Sequence, residues 1–135
     1  MQRLFLDANV LFTAAHNPQG KAALLISLGQ NRLVQLATSA YACEEARRNL
    51  ARKFPQALPR FEAILEFLLL VAEGGAIPCP ECLPEKDRPI YRAAHACRAD
   101  VLLTGDLRDF GPLMNQPKRC GGLLIQTVAE FLRHL

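Results

Sequence analysis

Two short apolar segments constrain this chain most: Leu4-Phe5-Leu6, which stops at Asp7, and Val101-Leu102-Leu103, which runs into Thr104-Gly105-Asp106. Neither alternates apolar with polar residues. Each therefore reads as a strand buried on both faces, as in a parallel sheet covered by helices on both sides. Each also delivers a carboxylate at its carboxyl end, the edge where parallel α/β sheets gather their functional groups.

The intervening sequence supplies the helices. Ala8–His16 is helix-compatible and ends at Asn17-Pro18, and Lys21–Gln30 places Ala22, Leu25, Ile26 and Gly29 on one face. Residues 33–37 are a candidate second strand. Thr38 or Ser39 can then cap a helix with Glu44 and Glu45 in its first turn and Arg47, Arg48, Arg52 and Lys53 beyond, an order that suits the helix dipole. Pro55 and Pro59 mark the next helix start. The apolar residues 61–73, closed by Gly74-Gly75, are expected to form one long helix. Residues 76–84 hold three prolines and read as a short strand plus loop. Residues 86–99 have helical spacing at Ile90, Ala93, Ala94 and Cys97, with Asp87 in the first turn. Residues 123–126 make a last strand before a helix over residues 128–135. Strands alternating with helices predict a single domain over residues 1–135. Its expected fold is a three-layer α/β/α sandwich on a mostly parallel sheet of four to five strands.

Bulk properties narrow the setting. The net charge of +3 falls short of the strongly basic balance that would by itself announce nucleic-acid binding. Five cysteines at irregular positions favour a reducing cytosol over a disulfide scaffold, and the expected location is cytoplasmic. No apolar run approaches the roughly 20 residues that a membrane-spanning helix needs.

Four acids, Asp7, Glu45, Asp87 and Asp106, are expected at one edge of the sheet. Carboxylates brought together there repel one another unless a cation neutralises them, and oxygen-only ligation suits Mg²⁺ or Mn²⁺. Glu44, Glu45 and Asp87 also have a simpler reading as dipole partners in helix first turns, and Asp106 as a helix cap. Asp7 lies behind an apolar strand, where an unpaired carboxylate is costly, and so reads as functional. Asp100 stands at the opposite end of its strand and reads as structural.

These residues carry a resemblance. The segment from Leu4 to Leu11, LFLDANVL, resembles the first motif of the PIN-domain ribonucleases. VLLTGDLRDF, from Val101 to Phe110, resembles their last. LPEKDRPI with Ala93-Ala94 resembles the helix bearing their third acid, and the stretch from Ser39 to Leu50 the segment bearing the second. The toxin-type, VapC-like branch is the nearest in pattern. The resemblance implies an endoribonuclease using one or two Mg²⁺ or Mn²⁺ ions on RNA. It assigns metal ligation to Asp7, Asp87 and Asp106, with Asp109 as a further ligand and Glu45 ligating or orienting a water. Catalysis would rest on Asp7, Glu45, Asp87 and Asp106. Many members are toxins neutralised by an antitoxin and many self-associate, so an antitoxin and a homodimer are expected partners. Asn9 and Thr104 are expected to fix Asp7 and Asp106 by hydrogen bonds, with capping of the first helix as Asn9's alternative. Arg47 and Arg48 are candidate RNA contacts, with a solvated helix face as the plainer reading.

Two rival functions share these residues. Asp7-x-Asn9 and Gly105-Asp106-x-x-Asp109 also resemble a haloacid-dehalogenase-like phosphohydrolase with Asp7 as nucleophile. A non-catalytic RNA-binding or partner-binding module is the other. Cys79-Pro80-Glu81-Cys82 has zinc-like spacing, but no second Cys-x-x-Cys or His pair completes a tetrahedral set. His16, His95 and His134 share no spacing and read as helix-surface or packing residues.

Overall fold

The computed structural model describes residues 1–135. Five parallel strands, β1 (Arg3–Leu6), β2 (Gln35–Ser39), β3 (Leu69–Val71), β4 (Val101–Leu103) and β5 (Leu124–Gln126), lie in the order β3-β2-β1-β4-β5. Seven helices complete the three-layer arrangement: α1 (Ala8–His16), α2 (Lys21–Gln30), α3 (Ala40–Lys53), α4 (Leu58–Leu65), α5 (Arg88–Ala96), α6 (Leu107–Phe110) and α7 (Val128–Arg133). Leu4, Phe5, Leu6, Leu102 and Leu103 are wholly buried, so both faces of the central strands are covered. Each large side chain removed from water in this way stabilises the fold by about 1.5–3 kcal/mol.

The strand order decides where a site can form. The chain builds β1, β2 and β3 to one side, then crosses back to lay β4 and β5 on the other. The reversal falls between β1 and β4, where Leu6 pairs with Leu103. A crevice opens there at the carboxyl ends, and Asp7 and Thr104 are the first residues beyond it.

Several sequence expectations are corrected. The second strand begins two residues later than residues 33–37, because β2 is held in register by Arg3 opposite Gln35 and continues to Ser39. Ser39 then caps α3 through Ala42 N at 3.2 Å, so Glu44 and Glu45 lie a turn further in than the first turn. The long helix over residues 61–73 does not form: α4 ends at Leu65, and Leu69–Val71 pairs with β2 as an edge strand. An unbroken apolar run fits either element, and the free edge of β2 decided it. No strand forms within residues 76–84; the chain from 72 to 84 has neither helix nor strand. Asp87 closes the 3-10 turn Glu85–Asp87 that leads into α5.

Candidate metal centre

Asp7 is 4% exposed, and both its carboxylate oxygens are held. Oδ1 caps α1 by accepting from Ala8 N at 2.7 Å. Oδ2 accepts from the Thr104 hydroxyl at 2.8 Å and from Asn9 Nδ2 at 3.2 Å. Asn9 also reaches Thr104 Oγ1 at 3.3 Å and accepts from Gly105 N at 2.6 Å, while Asp106 N donates to Thr104 Oγ1 at 3.1 Å. Asp7 is the cap of α1; Asn9 instead ties the loop after β1 to the loop after β4. Thr104, fully buried, links the two expected acids. Asp100 accepts from Arg3 N at 2.8 Å at the far end of the sheet, in keeping with its structural reading.

The structure brings three acids closest together. Asp87, Asp106 and Asp109 each place a carboxylate oxygen within 4.8 Å of the other two. Asp106 combines this with capping α6, accepting from Asp109 N at 3.1 Å. Asp7 and Glu45 stand outside that trio, and the charge of Glu45 adds to the rise in the Asp7 pKa that burial dominates. Burial, followed by Glu45, Asp87 and Asp7, raises the pKa of Tyr41, which stands one turn before Glu45 and whose hydroxyl donates to Lys86 O at 2.6 Å. Glu44 instead acts on Cys43 and Arg47.

Electrostatics show a site short of positive charge. Burial pushes the Asp7 carboxyl up to about 6, against its hydrogen bonds from Thr104 and Ala8. Burial, followed by Asp109 and Asp106, pushes Asp87 up to about 7. Its Oδ2 is buried and has no hydrogen-bond partner, an arrangement that costs free energy until a proton or cation arrives. Asp109 is lowered by Lys86, whose ammonium rests on it at 3.0 Å while the side chain stays 71% exposed. Three carboxylates, one orphaned oxygen and an amine already drawn to them fit a hard divalent cation with oxygen ligands.

Tyr41 and Lys86 were missed from sequence. The signals were present: Tyr41 stands at i−4 from Glu45 on one helix face, and Lys86 adjoins Asp87. Arg47, a candidate RNA contact, pairs with Glu62 of α4 at 2.8 Å, and its guanidinium lies 5.4 Å from the centre of the Phe61 ring. Arg48 acts on Tyr41 and remains beside the acids.

The comparisons with known proteins now bear on this geometry. A family model described as a PIN domain matches residues 3–108. The chain belongs to the PIN-domain family. Two solved structures share its fold. One, described as VapBC2 from Rickettsia felis bound to a promoter DNA fragment, has 16% identity and a TM-score of 0.63 over 93% of this chain and 98% of that one. The other, VapBC-1 from nontypeable Haemophilus influenzae, has 15% identity and a TM-score of 0.55 over 95% and 99%. No curated protein matches the sequence significantly. The matched span runs from β1 into the start of α6 and includes Asp7, Glu45, Asp87 and Asp106, while Asp109 of this PIN domain lies one residue beyond it.

A metal held by Asp7 and Asp87 would compete with protons there, because ligands must be deprotonated. Mn²⁺ is therefore expected to raise the melting temperature several degrees more at pH 8 than at pH 5. Thermal shift at the two pH values checks this, and an equal shift would place the ion elsewhere.

Proposed function

We propose that this PIN domain is a divalent-metal-dependent endoribonuclease that hydrolyses RNA phosphodiester bonds, and the toxin of a toxin–antitoxin pair. The observation that carries the reading is the convergence of Asp87, Asp106 and Asp109, with Asp7 linked to Asp106 through Thr104, at the switch point of a PIN fold.

Asp87, Asp106 and Asp109 would hold Mg²⁺ or Mn²⁺, with Asp7 as a further ligand. The ion, when bound, neutralises charge on the phosphate oxygens and makes water a usable nucleophile near neutral pH. Glu45 orients the attacking water and takes its proton. Thr104 and Asn9 fix the Asp7 carboxylate, which keeps the acids in place before substrate arrives. Tyr41 holds the Lys86 carbonyl and thereby the turn that carries Asp87. Lys86, which pairs with Asp109 while no cation is bound, would be free to meet a phosphate once Asp109 holds one, and Arg48 would contribute a second positive charge.

The phosphohydrolase reading is less favoured, because the family model that matches the chain is a PIN domain. The antitoxin partner is supported by the two similar structures, both described as VapBC assemblies. A cytoplasmic location belongs to the same reading; no helix is long and apolar enough to cross a membrane.

The test is cleavage of a defined single-stranded RNA by the purified chain with Mn²⁺ and with EDTA, alongside growth after induced expression in a bacterium. Metal-dependent cleavage with growth arrest supports both parts; cleavage without arrest retains the nuclease and removes the toxin; neither removes both. Within this assay Arg48→Ala is expected to raise KM several-fold. Arg47→Ala should leave KM unchanged and cost about 0.5–1 kcal/mol in urea unfolding, through the lost contacts with Glu62 and Phe61.

A further inference from the structure

One cation is in contact with the acids of the crevice. The Lys86 ammonium rests 3.0 Å from Asp109 Oδ2, while the chain's other ion pair joins Arg47 to Glu62. The Asp109 side chain is 13% exposed and that of Lys86 71%, so the carboxylate is the fixed partner and the ammonium the movable one. The Lys86 backbone is pinned on every side. Its carbonyl accepts from the Tyr41 hydroxyl at 2.6 Å, Asp87 N closes the turn on Pro84 O at 3.0 Å, and Arg88 Nε donates to Leu83 O at 3.0 Å. Only the side chain of Lys86 is free to swing.

The ammonium stands at the point where the acids converge. Asp87, Asp106 and Asp109 each bring an oxygen within 4.8 Å of the other two, and Asp87 Oδ2 is buried without a hydrogen-bond partner. An ammonium paired with Asp109 leaves that orphaned oxygen unsatisfied, whereas a hard divalent ion is shared among several oxygens. Two cations drawn to one carboxylate repel each other at such distances.

We therefore propose that Lys86 is a built-in competitor of the metal: the ammonium and the divalent ion are alternative partners of Asp109, and metal loading hands the ammonium to a phosphate of the RNA. The inference rests on the nuclease reading and adds its regulation. Lysine suits the task, because its compact charge on a flexible stem releases a carboxylate that a guanidinium fork would grip with two hydrogen bonds. Pinned at its backbone, Lys86 stays at the rim of the acids after release. By linkage, metal and RNA then strengthen each other's binding by one and the same factor. The centre is kept weakly loaded until the RNA backbone draws the ammonium away.

Mn²⁺ binding to the purified chain, read from the electron paramagnetic resonance of the free ion at pH 8, tests the competition. Lys86→Met is expected to bind Mn²⁺ about fivefold tighter than wild type. Lys86→Arg, which can keep the ion pair, should bind it no tighter. Arg108→Met removes the same charge two residues from Asp106 but breaks no ion pair, and should change the affinity by less than about twofold. The transfer is read from binding of a single-stranded RNA with and without Mn²⁺ in Glu45→Gln, which slows hydrolysis. Adding Lys86→Met should shrink the tightening by Mn²⁺ about fivefold. Equal Mn²⁺ affinity in wild type and Lys86→Met would overturn the inference and leave the metal centre standing; Mn²⁺ bound by neither would remove both. An effect of Mn²⁺ on RNA binding that is the same with and without Lys86 would overturn the transfer.

Discussion

Asp87→Asn is expected to raise the stability of the metal-free protein at pH 8 while weakening Mn²⁺ binding about tenfold or more. The sign follows from the Asp87 carboxyl being pushed up to about 7 by burial, Asp109 and Asp106. In the unfolded chain this group loses its proton near pH 4; in the folded chain it keeps it until about pH 7. The folded state therefore binds more protons between those values, and wild-type stability falls as pH rises through that window. Asparagine carries no charge to repel. The variant should match wild type near pH 4 and gain above pH 7, by about 1–2 kcal/mol once solvent screening at the crevice mouth is allowed for. Urea unfolding at the two pH values, with EDTA present, measures it. A variant less stable than wild type at pH 8 would mean that Asp87 makes a favourable contact rather than suffering repulsion. Mn²⁺ should reverse the order, since it stabilises only the chain that binds it.

Such a trade of stability for binding is expected where acids are gathered before their cation arrives. It also explains the position of Lys86. An exposed ammonium beside Asp109 offsets part of the repulsion at little entropic advantage, and gives way to a divalent ion that several oxygens can share.

The sheet and its helices were largely legible because unbroken apolar runs have few alternatives. β1 and β4 could be read from Leu4-Phe5-Leu6 and Val101-Leu102-Leu103, and α1 and α2 have the bounds their spacing predicts. β2 was harder. Thr38 and Ser39 look like helix caps, yet Thr38 lies in the strand, its hydroxyl donating to Leu6 O at 2.9 Å. Only pairing with β1 makes that placement favourable. The fate of Leu69, Leu70 and Val71 was likewise a tertiary decision, because the run satisfies a helix as well as a strand until the edge of β2 is known to be free.

The acidic residues were legible by type and order, but not by distance. Asp7 was expected at the heart of the site, whereas the closest trio is Asp87, Asp106 and Asp109, with Asp7 in a bonded frame behind it. That difference arises from the short α6, which starts at Asp106 and returns Asp109 to the crevice. Tyr41 and Lys86 were hidden because neither type announces metal chemistry. Their part depends on a hydrogen bond from α3 to the turn before α5 and an ion pair from that turn to α6.

The account stands most directly on Asp7. Asp7→Asn keeps the oxygen that caps α1, while its new amide faces the Thr104 hydroxyl and the Asn9 amide, both donors toward that position. The mismatch costs about 1–3 kcal/mol, a loss that removal of a buried charge offsets, so the fold should survive. The measurement is the rate of cleavage of a defined single-stranded RNA in Mn²⁺, wild type beside Asp7→Asn, with circular dichroism confirming that both are folded. The account predicts metal-dependent cleavage by wild type and a fall of about a thousandfold in the variant, the scale of a lost charge-stabilising group. Equal rates in the two folded proteins would contradict it.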